Sequence, residues 1–137
     1  MDKGLIVHAL IVNADGEVLL IKRSETEDVL PGVWDIPGGT LEDGEDPKDG
    51  ATREVKEETN LEVRNLCLFH YTSNVDQEKN KQFVRLIFVG ECASSGVCLN
   101  PEDHDEYRWV SPDNIPKDMN LIYFLPRTLE MFLQLMV

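Results

Sequence analysis

Apolar residues run almost unbroken from Leu5 to Val12, rich in Ile and Val, and predict a strand. Asn13-Ala14-Asp15-Gly16 is a turn signal, and Glu17 to Lys22 reads as the returning strand of a hairpin. Arg23 to Leu30 is polar and loop-like, Pro31-Gly32 turns the chain, and Val33 to Ile36 is a short strand that Pro37-Gly38-Gly39 breaks. An acidic loop follows from Glu42 to Glu45. Asp46 is a good N-cap and Pro47 suits the first helical position, so a helix is expected to about Thr59, with Asn60 as a left-handed stop. Leu61 to Thr72 and Gln82 to Cys92 read as long strands joined by a polar connection over Ser73 to Lys81. Glu106 to Val110 is a short strand, and Asp113 to Ile115 suggests one helical turn. From about Leu121 the pattern is helical, with Pro126 kinking that helix or starting its final part. This order of strands, helix, strands and helix predicts an α+β domain with a mixed sheet between two helices. Nothing divides the 137 residues, so one domain over 1–137 is expected.

Composition narrows the function. Hydrophobic residues make up 42% and charged residues 28%, the balance of an ordinary soluble domain. No apolar run approaches the roughly 18 residues of a membrane helix. Leu5 to Val12 has neither a basic lead nor a small-residue cleavage site, so no secretory signal is expected and a cytoplasmic location is. Cys67, Cys92 and Cys98 are odd in number and widely spaced, which fits reduced thiols better than a disulfide framework or a zinc site. His8, His70 and His104 lack ligand spacing. A net charge of −13 argues against nucleic acid polymers and anionic membranes as partners. It would also repel a phosphorylated small molecule, so a phosphate-handling site here must bring in cations.

The predicted helix carries such a device. Glu54, Glu57 and Glu58 stand at i, i+3 and i+4 and share one helix face. Like charges at that spacing destabilise a helix by roughly 0.2–0.5 kcal/mol per pair. They also lie in the last turns, where the helix dipole disfavours anions. Bound divalent cations would remove that penalty, and oxygen-only ligands select hard Mg²⁺ or Mn²⁺. A solvated acidic face is the plain alternative. Three neighbours speak against it. Gly38-Gly39 lets the backbone approach a ligand closely, Glu45 lies near the helix start, and Arg53 can fold back to pair with it.

Gly39, Glu45 and the run Arg53-Glu54-Val55-Lys56-Glu57-Glu58-Thr59-Asn60-Leu61 together resemble the Nudix box over 23 residues. The flanking strands, the Pro37-Gly38-Gly39 entry and the terminal helix extend the resemblance over nearly the whole chain. One position departs: Asn60 stands where the family has Gly. Asn tolerates positive φ better than most residues, so local strain is expected without loss of activity.

The resemblance implies an α/β/α sandwich with the mixed sheet between helices. It implies Glu54, Glu57, Glu58 and the Gly38 carbonyl as metal ligands, with Glu45 and Arg53 as a structural ion pair. Glu54 is the candidate general base, and Glu106 resembles a late glutamate that some relatives use as ligand or base. Glu57 belongs to the same catalytic set. Arg23 is expected to hold substrate phosphate, because an acidic site needs a fixed cation. Asn120 stands where some MutT-like relatives read a base, although N-capping the last helix is the stronger claim on it, because Asn is a preferred cap. Leu30-Pro31-Gly32 with Trp34, Ile36 and Pro37-Gly38-Gly39 looks like the MutT-type subgroup, which acts on nucleoside triphosphates. The expected reaction is metal-dependent hydrolysis that releases pyrophosphate and a nucleoside monophosphate. ADP-ribose, nucleotide sugars and dinucleoside polyphosphates are alternative substrates, although Gln77 replaces the proline or tyrosine of those subgroups. A nucleotide-sensing module without catalysis is the competing function, and many relatives form homodimers.

Overall fold

The computed structural model describes residues 1–94 and 96–136. Seven strands form one sheet. They are β1 (Asp2–Val12), β2 (Val18–Arg23), β3 (Trp34–Asp35), β4 (Gly38–Thr40), β5 (Arg64–Asp76), β6 (Lys81–Glu91) and β7 (His104–Val110). Helix α1 spans Pro47–Thr59 and α2 spans Leu125–Leu135. The sheet is mixed: β1 runs parallel to β6, and the other pairings are antiparallel.

The two helices cover opposite faces of the sheet. Alternate β1 residues sort to the two sides, as a period of two requires. Val7, Ala9 and Ile11 pack with Ala51 and Val55 of α1. Leu10 packs instead with Leu125, Leu129 and Phe132 of α2. The result is the α/β/α sandwich that the sequence predicts.

Strands β1 and β2 share only the pair Val12 and Val18, and then diverge. Strand β4 takes the vacated edge of β1, with Ile6, Val7 and His8 opposite Thr40, Gly39 and Gly38. Strand β2 turns away to pair with β3 and β7. This split curls the sheet and opens a space between β1, β2 and β4.

Several boundaries differ from the sequence reading. Pro37-Gly38-Gly39 was expected as a break, yet Gly38–Thr40 is a strand, because β1 supplies an edge that the local pattern cannot reveal. The connection over Ser73 to Lys81 contracts to a tight turn, since β5 and β6 pair up to Asp76 and Lys81. Asp113 to Ile115 forms a turn closed by Asn114 N–H to the Ser111 carbonyl, without helix. The last helix starts at Leu125, not Leu121. Trp34 bonds the Asn120 carbonyl through its N–H and accepts from Ile122 N–H, both at 2.8 Å, so this backbone belongs to the sheet. The capping expectation for Asn120 is corrected accordingly: Phe124 holds the N-cap position, and Pro126 sits in the first turn.

Candidate functional site

Helix α1 is built as its sequence requires. Asp46 accepts from Lys48 N–H at 2.9 Å, and Pro47 opens the first turn. Asn60 ends the helix at φ 62°, the left-handed stop. Ala51, Val55 and Thr59 face the sheet at i, i+4 and i+8 and are fully buried. That anchorage turns the Glu54, Glu57 and Glu58 edge toward β4.

Glu58 reaches back to β4, where Gly38 N–H donates to its Oε2 at 2.9 Å. Burial pushes the Glu58 carboxyl up to about 9, and the nearby Glu54, Asp35 and Asp103 carboxylates add to that. Burial also raises Glu54, against the opposing pull of Arg53. Gly39 makes room for this group: a Cβ there would lie 2.5 Å from Glu54 Oε1. A side chain on Gly38 would collide with the Val7 carbonyl and the His8 ring. Both glycines are therefore required by close approach.

Arg53 organises the rest. Its Nε and Nη2 meet the two Glu45 carboxylate oxygens at 2.8 and 3.0 Å, the bidentate pair expected from the sequence. Arg53 lowers the Glu45 pKa, with help from the Glu42 N–H. Its Nη1 also donates to Glu54 at 3.0 Å and Glu57 at 3.2 Å. Among the described residues, no three His, Cys, Asp or Glu side chains already converge as a metal cage. The donor set nonetheless suits a hard cation. It offers carboxylate oxygens on one helix edge and a backbone carbonyl at Gly38. A cation there would draw Glu54 and Glu57 off Arg53, which keeps its two bonds to Glu45.

A cavity of about 210 Å³ opens beside this edge. Gly38, Gly39, Asp35 and Arg23 line it. Arg23 Nε donates to the Val29 carbonyl at 2.9 Å, and its other nitrogens lie 3.5 Å from Glu27 and 3.9 Å from Asp35. Arg85, Tyr123, His8 and Phe124 line the cavity too. The Arg85 guanidinium lies over the Tyr123 and Phe124 rings, and Asn74 Oδ1 accepts from both Arg85 and the Tyr123 hydroxyl. His8 is buried, and burial lowers its pKa, so its ring is neutral. Its Nδ1 donates to the Ile36 carbonyl at 3.2 Å, which leaves Nε2 without a proton or a protein partner.

The structure thus brings together Gly38, Arg23, Glu54 and Glu58, with Glu57 alongside through Arg53. Two candidates lie elsewhere. Glu106 is ion-paired with Arg108 at 3.2 Å and Lys22 at 3.6 Å and does not line the cavity. Asn120 is exposed and also outside the lining, where Ile122, Tyr123 and Phe124 take its place. Sequence reasoning missed Asp35, Arg85, His8 and Tyr123. His8 interrupts an apolar strand and Asp35 sits between Trp34 and Ile36, and a buried polar residue in such company is the available signal.

An acidic helix edge docked on the two glycines of β4, beside a cavity in an α/β/α sandwich, belongs to the class of phosphoanhydride hydrolases. The NUDIX domain family matches residues 2–128. A "MutT-like protein" of Streptomyces ambofaciens is 31% identical, covering 85% of this chain and 70% of that protein. "Nucleoside triphosphatase NudI" of Salmonella agona is 32% identical over 84% of this chain and 86% of its own. The crystal structure of a MutT protein from Methanosarcina mazei Go1 superposes with a TM-score of 0.81 and 31% identity, covering 97% and 94% of the two chains. The chain belongs to the NUDIX family and is one of its pyrophosphohydrolases.

Proposed function

We propose that this enzyme hydrolyses a nucleoside triphosphate at a diphosphate linkage, releasing pyrophosphate and a nucleoside monophosphate. One observation carries the reading: Glu58 and Glu54 meet Gly38 and Gly39, which line the same cavity as Arg23, and Arg53 joins Glu57 to them. The name borne by the Salmonella relative, a nucleoside triphosphatase, points to the same substrate class.

In this reading Glu54, Glu57, Glu58 and the Gly38 carbonyl hold Mg²⁺, with Mn²⁺ as a substitute. A cation held there would neutralise the phosphate oxygens and acidify water, which is what an anionic linkage needs before attack. Glu54 takes the proton of the attacking water, since burial already favours its protonated form. Arg23 steadies the phosphates. Arg53 and Glu45 keep the acidic edge in place when the cation leaves. We place the base at Glu54 because it lies against Gly39, which lines the cavity, whereas Glu106 is paired with Lys22 and Arg108. The enzyme acts as one domain over 1–137, and its free cysteines suit the cytoplasm.

The test is a panel of nucleoside triphosphates, ADP-ribose, nucleotide sugars and dinucleoside polyphosphates with Mg²⁺, with products separated by chromatography. Pyrophosphate and monophosphate from triphosphates, lost in Glu57→Gln, are expected. Cleavage confined to another substrate class would overturn the triphosphate assignment. Equal turnover by Glu57→Gln would overturn the metal-ligand assignment.

A further inference from the structure

The sheet ends at β5, which pairs only with β6. No backbone hydrogen bond among the described residues reaches its outer side. An open edge is a template for another strand, and proteins usually guard it with bulges, proline or charge. Here only half of the edge is guarded. Register shifts interrupt the β5 ladder between Arg64 and Cys67 and again between Leu68 and His70. From His70 to Asp76 the ladder is continuous. Asn65 to Val75 contains no Asp, Glu, Lys, Arg, Pro or Gly, in a chain whose net charge is −13. Repulsion between copies is therefore weak along the unbulged stretch of the β5 edge.

We propose that His70–Asp76 pairs antiparallel with the same segment of a second copy of this chain, about a two-fold axis at Ser73. A register centred on a residue sets outward N–H groups opposite outward carbonyls, because each pair then has the same parity along the strand. It also sets Tyr71 against Val75 of the partner subunit. These are the two large apolar side chains that the unbulged stretch leaves open, at 69% and 44% exposure. Aromatic and β-branched residues are favourable cross-strand partners. His70 falls opposite Asp76 of the partner subunit, and Thr72 opposite Asn74 of the partner subunit, so the ends are polar and no like charges face each other. A foreign strand would need all of these complements by chance, whereas a second copy carries them. An interface of this kind is isologous, as a closed dimer requires. The joined edges would make one sheet of fourteen strands, twice the seven of one chain.

The test uses light scattering and cross-linking on the full chain. Wild type is expected at twice the 15.6 kDa of one chain. Ser73 is exposed, so Ser73→Arg should keep the fold by circular dichroism and melting, yet run as a single chain, since two cations would face across the axis. Ser73→Cys, with Cys67→Ser and Cys98→Ser to silence the exposed thiols, should give a covalent dimer on mild oxidation. Residues directly opposed on antiparallel strands lie roughly 4.5–5.5 Å apart at Cα, within disulfide reach. Asp15→Cys, on an exposed turn, is the control that should not link. A wild type that stays a single chain at its highest soluble concentration would overturn the proposal. So would a dimer that survives Ser73→Arg, or one in which Ser73→Cys links no better than the control.

Discussion

Replacing Glu58 with Gln removes the ionisation that this fold resists most. The folded carboxyl titrates at about 9, against an ordinary value of 4.5. The native state therefore holds a proton that the unfolded chain releases across that interval, and stability falls as pH rises from about 4.5 to about 9. At pH 7.5 the gap would reach roughly 4 kcal/mol at about 1.4 kcal/mol per pH unit. Glu58 is only half-buried, so solvent screening reduces this to about 2 kcal/mol. Gln carries no charge to desolvate and can still accept from Gly38 N–H. With divalent ions chelated, Glu58→Gln should therefore melt about 7 °C above wild type at pH 7.5, given the entropy of unfolding of a chain this size. The gain should shrink to nothing near pH 4.5. Saturating Mg²⁺ should raise the melting point of wild type, and that of the variant by less. Melting curves at four pH values, with and without Mg²⁺, read all of this. A variant that melts below wild type at pH 7.5 without metal, or a difference that ignores pH, would show that burial does not hold a proton on Glu58.

Three further outcomes follow from the same geometry. Gly39→Ala puts a methyl 2.5 Å from Glu54 Oε1 and should lower kcat at least about tenfold by displacing that carboxylate, read by initial rates at saturating Mg²⁺. Arg23→Ala should raise KM for a triphosphate roughly tenfold, about the worth of one charge-assisted contact, with a smaller change in kcat. Asn60→Gly relieves a side chain held at φ 62° and should stabilise the fold by up to about 1 kcal/mol in a denaturant titration, with activity unchanged.

The parts of the fold set by local chemistry were readable from the sequence. The Asp46 cap, the Pro47 entry and the Asn60 stop bound α1 as the sequence predicts, and the Glu45–Arg53 pair forms across eight residues. What escaped depends on contacts distant in sequence. Gly38–Thr40 is a strand only because β1 parts from β2 and offers its edge. The stretch from Asn120 to Ile122 is kept out of helix by hydrogen bonds to Trp34, nearly ninety positions earlier. The cavity wall was hidden for the same reason. Arg85 reads as one polar residue in an apolar strand, and only Tyr123 and Asn74, brought in from elsewhere, give it a fixed position.

The account rests on the acidic edge of α1 gathering a divalent cation beside Gly38-Gly39. Paramagnetic resonance of Mn²⁺ added to the purified chain reports this directly, because the bound ion loses the sharp signal of the free one. Wild type should quench the signal to a saturable stoichiometry, and Glu57→Gln should weaken that binding by at least about tenfold, the loss of one charged ligand. Equal binding by the two proteins, or none by wild type, would contradict it.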